Sequence, residues 1–153
     1  MSYRLRPATL AELPILLNFE QGIVKAERPF DPTLKKGEIH YYDIGELILS
    51  DDAEVLVVEF NTEIVGSGYA KILTAKDYLD HDKYSFLGFM FVKEAHRGNG
   101  VNKMILDGLI AWSDSKGVKE IKLQVYDDNA PAIKAYTKAG FKKYLVEMRL
   151  VRI

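Results

Sequence analysis

The stretch "VKEAHRGNGVNKMI", residues 92–105, breaks a steady apolar rhythm with an arginine and two glycines, then returns at once to helix-like spacing. The run before it, "YSFLGFMFV" (residues 84–92), is apolar at almost every position, the pattern of a central strand covered on both faces. After it, Val101, Met104, Ile105, Leu109 and Trp112 recur at helical spacing, and Gly117 supplies a stop. A strand, a glycine-bearing turn and a helix in this order aim free backbone N–H groups and the positive helix end at one spot, which suits a phosphate. Gly98 and Gly100 remove the Cβ atoms that would hold an anion away, and Arg97 adds a charged donor. The same glycines also serve a plain tight turn, and both readings stay open on this stretch alone. Position 103 is Lys103 and not a third glycine, and no G-x-x-x-x-G-K-[ST] occurs, so neither a dinucleotide fold nor a P-loop is supported.

Outward from this turn, the chain alternates strand and helix. Downstream come a strand, "EIKLQVYD" (120–127), a helix, "NAPAIKAYTKA" (129–139), a stop at Gly140 and a last strand, "FKKYLVEMRLV" (141–151). Upstream, "EVLVVEF" and "IVGSGYAKIL" flank the polar turn "NTE" and read as an antiparallel hairpin. "YRLRPA" is a first strand, and Thr9 with Glu12 three residues later forms a capping box for a helix over residues 10–27, with Pro14 an irregularity near its first turns. Residues 28–40 read as a loop leading to a shorter helix, "YYDIGELI". The order β, α, α, β, β, β, α, β, α, β predicts an α/β (α+β) fold: one mixed, mostly antiparallel central sheet flanked by helices. No repeat or linker divides residues 1–153, so a single domain is expected.

Composition narrows the chemistry. Of 153 residues, 48% are hydrophobic, enough to cover a layered core without metal or disulfide staples. Lysine plus arginine (21) nearly cancels aspartate plus glutamate (22), which argues against nucleic acid as the main partner. Cysteine is absent, excluding disulfides, thiolate metal sites and any intermediate carried on a cysteine. No window approaches the roughly 20 apolar residues of a membrane span, and no apolar leader opens the chain, so a cytoplasmic location is the expectation. The three histidines show no metal-ligand spacing. His81 reads as a surface residue and Trp112 as core.

"RGNGVN" after the apolar strand, with "NAPAIKAYTKAGF" downstream, resembles the GCN5-related N-acetyltransferase (GNAT) superfamily. The first stretch looks like its acyl-CoA pyrophosphate motif, R/Q-x-x-G-x-G/A, and the second like its next motif, an asparagine followed by a tyrosine-bearing helix ending in "GF". Segment order agrees over essentially the full length, with residues 92–143 the specific part. The resemblance implies that Arg97, Gly98, Asn99, Gly100, Val101 and Asn102 wrap the pyrophosphate of acetyl-CoA. Met90, Phe91 and Val92 would present backbone groups to the pantetheine arm where two strands splay, with Asn129, Ala132 and Tyr136 on the other side. It further implies Tyr136 as general acid near the sulfur and a backbone N–H around Met90 or Phe91 against the carbonyl oxygen. Asn102 departs from the family's usual glycine or alanine, adding bulk but keeping its N–H.

Acetyl transfer to an amine also needs the attacking nitrogen to be neutral. Many relatives place a glutamate base on the strand before the pyrophosphate loop, but "YSFLGFMFV" carries no carboxylate. On the first helix, at about 100° per residue, Glu20 and Glu27 fall inside the arc of apolar side chains. A carboxylate on a buried face is either paired or functional. Glu27, beside the loop "RPFDP", is the stronger base candidate, Glu20 the second, and Asp31 and His40 weaker ones. The expectation is direct acetyl transfer to a primary amine of a small molecule or peptide, without metal. The competing expectation is a non-catalytic acyl-CoA-binding module. A homodimer through edge strands or the terminal "YLVEMRLVRI" is a further expectation.

Overall fold

Strands that follow one another in the chain lie side by side in one five-stranded sheet among the described residues. The computed structural model describes residues 2–152. The strands are β1 (Tyr3–Pro7), β2 (Ala53–Phe60), β3 (Glu63–Thr74), β4 (Lys83–Val92) and β5 (Ile121–Lys122). The first four run antiparallel and β5 joins β4 in parallel. This mixed, mostly antiparallel sheet is the expected one.

Helices cover both faces. α1 (Leu13–Glu27) and α2 (Ile44–Leu49) bury Leu16, Phe19, Ile23 and Ile44 against Val55, Val57, Tyr69 and Phe89. α3 (Val101–Ser115) buries Ile105, Leu106 and Leu109 on the opposite face against Leu56, Val58, Val65 and Leu87, while Trp112 and α4 (Ala130–Lys138) flank this second core. No helix among the described residues is long and apolar enough to cross a membrane.

The start of α1 is set by three side chains. The Thr9 N–H donates to Glu12 Oε1 at 2.8 Å, closing the capping box around a 3-10 turn, Leu10–Glu12, that precedes the α-helix proper. Pro14 lies in the first turn of α1, where a missing N–H breaks no helical bond. Arg6 reaches from β1 to both Glu12 and Glu59, so one guanidinium ties the helix start to two strands. The β2–β3 hairpin turns on Asn61 and Thr62, both at positive φ, the geometry that matches the twist of antiparallel strands.

Two irregularities in β4 create the opening on that side of the sheet. First, the register with β3 slips: Tyr69 faces Gly88, but Ser67 faces Phe91. Phe89 and Met90 therefore oppose the single position 68, a bulge in which Phe89 adopts φ 60° and its carbonyl accepts from Ser67 Oγ at 3.1 Å. Leu87, Met90 and Val92 then pack on the α3 side, and Phe89 and Phe91 on the α1 side. Second, β5 pairs with β4 only at Ser85–Ile121 and Phe86–Lys122. Beyond that point the ladder stops, and residues 87–92 have no strand paired on that edge among the described residues.

The chain departs from expectation at its C-terminal side. The strand expected over 120–127 is two residues long, because pairing ends where β4 and β5 separate. The strand expected over 141–151 does not form: residues 141–152 have no ladder partner. Ile153, the last residue of "YLVEMRLVRI", lies outside the described residues.

Candidate active site

The parted strands and the turn after β4 form two walls of one opening. The turn leaves β4 at Val92, passes a short 3-10 segment (Glu94–His96) and enters α3 with Gly100 as N-cap. Gly98 has φ 78° and Gly100 φ 80°, both left-handed, which is why glycine stands at each. A Cβ built at either position would meet nothing within 4 Å, so backbone conformation and not crowding sets the requirement. None of the N–H groups of residues 98–103 donates to an acceptor within the described residues, whereas the Met104 N–H returns to Gly100 O at 3.0 Å. That cluster of unmet donors at the positive end of a fifteen-residue helix is a fitting seat for a diphosphate.

Side chains of the turn brace it. Asn99 Nδ2 donates to the carbonyls of His96 and Arg97, each at 3.2 Å, and Arg97 Nε donates to Val92 O at 3.0 Å. The Arg97 terminal amines stay exposed and free to add charge. Asn102 sits in the first turn of α3 with its N–H among the unmet donors.

Across the opening, Asn129 caps α4, its Oδ1 accepting from the Ala132 N–H at 3.3 Å. One helical stretch later, Tyr136 packs edge-on to Phe141 at the rim of the α3 core, with ring centroids 6.0 Å apart. Burial, and then the charge of Glu27, hold the Tyr136 hydroxyl above the usual phenol range. The charge of Glu27 thus acts on Tyr136, although the two stand 109 positions apart by their numbers 136 and 27.

The two carboxylates of α1 part company in the structure. Glu20 is fully buried and both oxygens are engaged, from His40 Nδ1 at 2.8 Å and from the N–H groups of Tyr41 and Tyr42 at 2.7 and 3.0 Å. It pins residues 40–42 against α1, and its contact is the first cause of a raised His40 pKa. Glu27 is half-buried instead. Burial lifts its carboxyl above the ordinary carboxylate range; the Tyr41 hydroxyl opposes this, and the charge of Asp31 adds to it. The Tyr41 hydroxyl is itself buried without a hydrogen bond of ordinary length, and burial and Glu27 together raise its pKa strongly. Asp31 is kept ionised by its own partners: Thr33, Arg149 Nη2 at 2.9 Å and the Tyr126 hydroxyl at 3.2 Å hold its carboxyl well below the usual range.

Tyr41, Tyr42 and Tyr126 are the residues that sequence reasoning missed. Their only signal was aromatic content beside turns, "YYD" and "VYDD". Phe91 closes the floor: its ring stacks on Phe19 at 4.7 Å, and a Cβ on Gly22 would stand 2.5 Å from it, so α1 rests directly on the bulged end of β4. A cleft of about 720 Å3 lies elsewhere, between α1 and the β2–β3 turn, lined by Asn18, Gln21, Glu63 and Lys93 among others, and holds none of these groups. His81, read as a surface residue, is partly exposed, and its Nε2 lies 2.7 Å from Glu120 Oε1, tying the β3–β4 connection to the residue before β5.

The sequence matches the Acetyltransferase (GNAT) family over residues 21–141. An uncharacterised N-acetyltransferase of Bacillus subtilis (strain 168) is 35% identical over 60 residues, 39% of this chain but only 24% of that protein. Among solved structures, a mutant form of a Bacillus halodurans protein superposes with a TM-score of 0.88 at 18% identity, covering 98% of this chain and 99% of that one. A predicted acetyltransferase of Clostridium acetobutylicum, crystallised with acetyl-CoA, superposes with a TM-score of 0.74 at 16% identity over 98% and 96% of the two chains. At such identities the likeness speaks for the fold.

Proposed function

Because the chain belongs to the acetyltransferase (GNAT) family, we propose that it is an acetyl-CoA-dependent N-acetyltransferase that passes the acetyl group directly to a primary amine of a small molecule or peptide. The observation that supports this reading best is the turn after β4, where left-handed Gly98 and Gly100 leave the N–H groups of residues 98–103 unpaired at the start of α3, with the edge of β4 beyond Phe86 unpaired beside it.

In this reading the N–H groups of residues 98–103, with Arg97, hold the diphosphate of acetyl-CoA, and the free edge of Met90, Phe91 and Val92 aligns its pantetheine arm. Asn129 and Ala132 border the same arm from α4. A backbone N–H at Met90 or Phe91 stabilises the developing oxyanion. Glu27 takes the proton lost by the attacking nitrogen as the C–N bond forms. Tyr136 gives its proton to the departing sulfur as the C–S bond breaks. Both shifts suit the work: an amine with an ordinary pKa of about 10.4 needs a base stronger than a solvated carboxylate, and a phenol kept above about 10 stays a donor at neutral pH. Glu20, with its oxygens fully engaged, serves as the pin for residues 40–42.

A second reading, an acyl-CoA-binding module without turnover, rests on the carboxylate-free β4. One assay separates the two: coenzyme A release by the purified chain with acetyl-CoA and a panel of polyamines, aminoglycosides, amino acids and peptides. Turnover well above hydrolysis with at least one amine is expected. Tight acetyl-CoA binding with no release from any amine favours the module instead.

A further inference from the structure

The turn between β4 and α3 has one side-chain anchor. Among residues 94–100 only His96 is partly buried, and the others are exposed. The backbone bonds of the turn close on itself, His96 N–H to Lys93 O at 2.9 Å and Arg97 N–H to Glu94 O at 3.2 Å. The side chains of Arg97 and Asn99 reach no further than the carbonyls of Val92, His96 and Arg97. One side-chain hydrogen bond of these residues leaves the turn among the described residues: His96 Nδ1 lies 3.0 Å from the Tyr3 hydroxyl oxygen. Tyr3 opens β1 and stands directly opposite Phe60, the last residue of β2. Their rings lie 4.8 Å apart, and the imidazole packs against both, edge-on to Tyr3 at 5.8 Å and 5.2 Å from Phe60 between centroids. His96 thus ties the turn after β4 to the far edge of the sheet.

We propose, resting on the acetyl-CoA reading, that His96 is a positioning residue for the diphosphate: its contact with Tyr3 holds the entrance of the turn, so that the N–H groups of residues 98–103 converge before the ligand arrives. The need comes from the glycines. Gly98 and Gly100, at φ 78° and 80°, leave the backbone more freedom than other residues would, and whatever freedom persists in the free protein is lost on binding and subtracts from affinity. Val101, 2% exposed in the α3 core, fixes the far end of the turn. His96 fixes the near end. Asn99 depends on it too, because its Nδ2 donates to the His96 carbonyl at 3.2 Å and that brace takes its position from the anchored residue.

Coenzyme A is the probe, because it carries the diphosphate without the reacting thioester. In calorimetric titration of the full chain, His96→Ala is expected to weaken its binding about tenfold, and Tyr3→Phe, which keeps the ring and loses only the hydroxyl, about threefold. The double variant is expected to match His96→Ala alone, since the Tyr3 hydroxyl acts through His96. In the free chain, 15N relaxation is expected to show residues 97–103 more mobile in both single variants, with residues 105–112 of α3 unchanged. A merely structural contact would lower Tm and leave affinity in place. Unchanged coenzyme A affinity in both single variants, losses that multiply in the double variant, or unaltered mobility of residues 97–103 overturns the proposal. A wild-type chain that binds no coenzyme A overturns instead the acetyl-CoA reading beneath it, so the two failures are told apart.

Discussion

The diphosphate seat at residues 97–103 and the cluster around Glu27 serve two halves of one proposed site, but they are made of different material. The seat is backbone: N–H groups of consecutive residues, aimed by two left-handed glycines. The cluster is side chain: Glu27, Asp31, Tyr41, Tyr126 and Tyr136, gathered from α1, the loop after it, the approach to α2, the stretch after β5 and α4. A seat of backbone depends on φ and tolerates most changes of side chain. A cluster of side chains depends on its functional groups and tolerates little.

The contrast breaks first at Tyr136. Replacing it by phenylalanine keeps the ring against Phe141 but removes the proton donor, and kcat is expected to fall about 100-fold with the KM for acetyl-CoA nearly unchanged. A loss under threefold in steady-state kinetics would move the donor elsewhere.

Glu27→Gln is expected to lower kcat/KM about 30-fold at neutral pH and to erase its acid limb. In the wild type that limb lies above the ordinary 4.5, because burial favours the protonated carboxyl. The same shift has a stability sign. The folded state holds this proton more tightly than the unfolded one, so stability falls as pH rises from 4.5 through the raised folded value. Glu27→Gln removes that loss, and its Tm at pH 8 should exceed that of the wild type while activity drops. Coincident pH–rate profiles of the two proteins would discard Glu27 as base.

On the backbone half, Gly100→Val forces a β-branched residue to φ 80° and is expected to weaken acetyl-CoA binding about tenfold, from strain of roughly 1–3 kcal/mol. Gly100→Asn, which tolerates that conformation, should stay within about threefold. Equal effects of valine and asparagine in calorimetric titration would mean that space and not φ is limiting. The smallest effect is expected at Asn102→Ala, within about twofold, since the change keeps the backbone N–H that the proposed seat uses.

This contrast also sets what could be read in the chain beforehand. Residues 97–102 are contiguous, so a strand, two glycines and a helix sufficed to read the turn, while its reading as a diphosphate seat came with the family resemblance. Asn129 and Tyr136 share one short helix and its cap, so local pattern located them, but their part in the site came from the family resemblance and not from the residues alone. Glu20 and Glu27 stand seven residues apart, nearly two full turns, so a helical projection sets both on the buried face and cannot tell them apart. What separates them is where residues 38–42 cross α1, and that path has no periodicity to read. Tyr41 and Tyr126 join Glu27 only through tertiary folding. The expected last strand failed for a related reason: alternation shows that a segment can pair, and the presence of an edge is a property of the assembly.

The bulge at Phe89 makes β4 a strand with a phase slip. Because Gly88 and Phe89 both turn toward α1, every later side chain points opposite to what its distance from Leu87 would dictate. Deleting Phe89 would restore simple alternation with β3, leaving Met90, Phe91 and Val92 on their present faces but taking one ring out of the α1 layer. A shortened β4 should therefore leave a cavity beside Tyr42 on the α1 side while the α3 layer keeps its contacts.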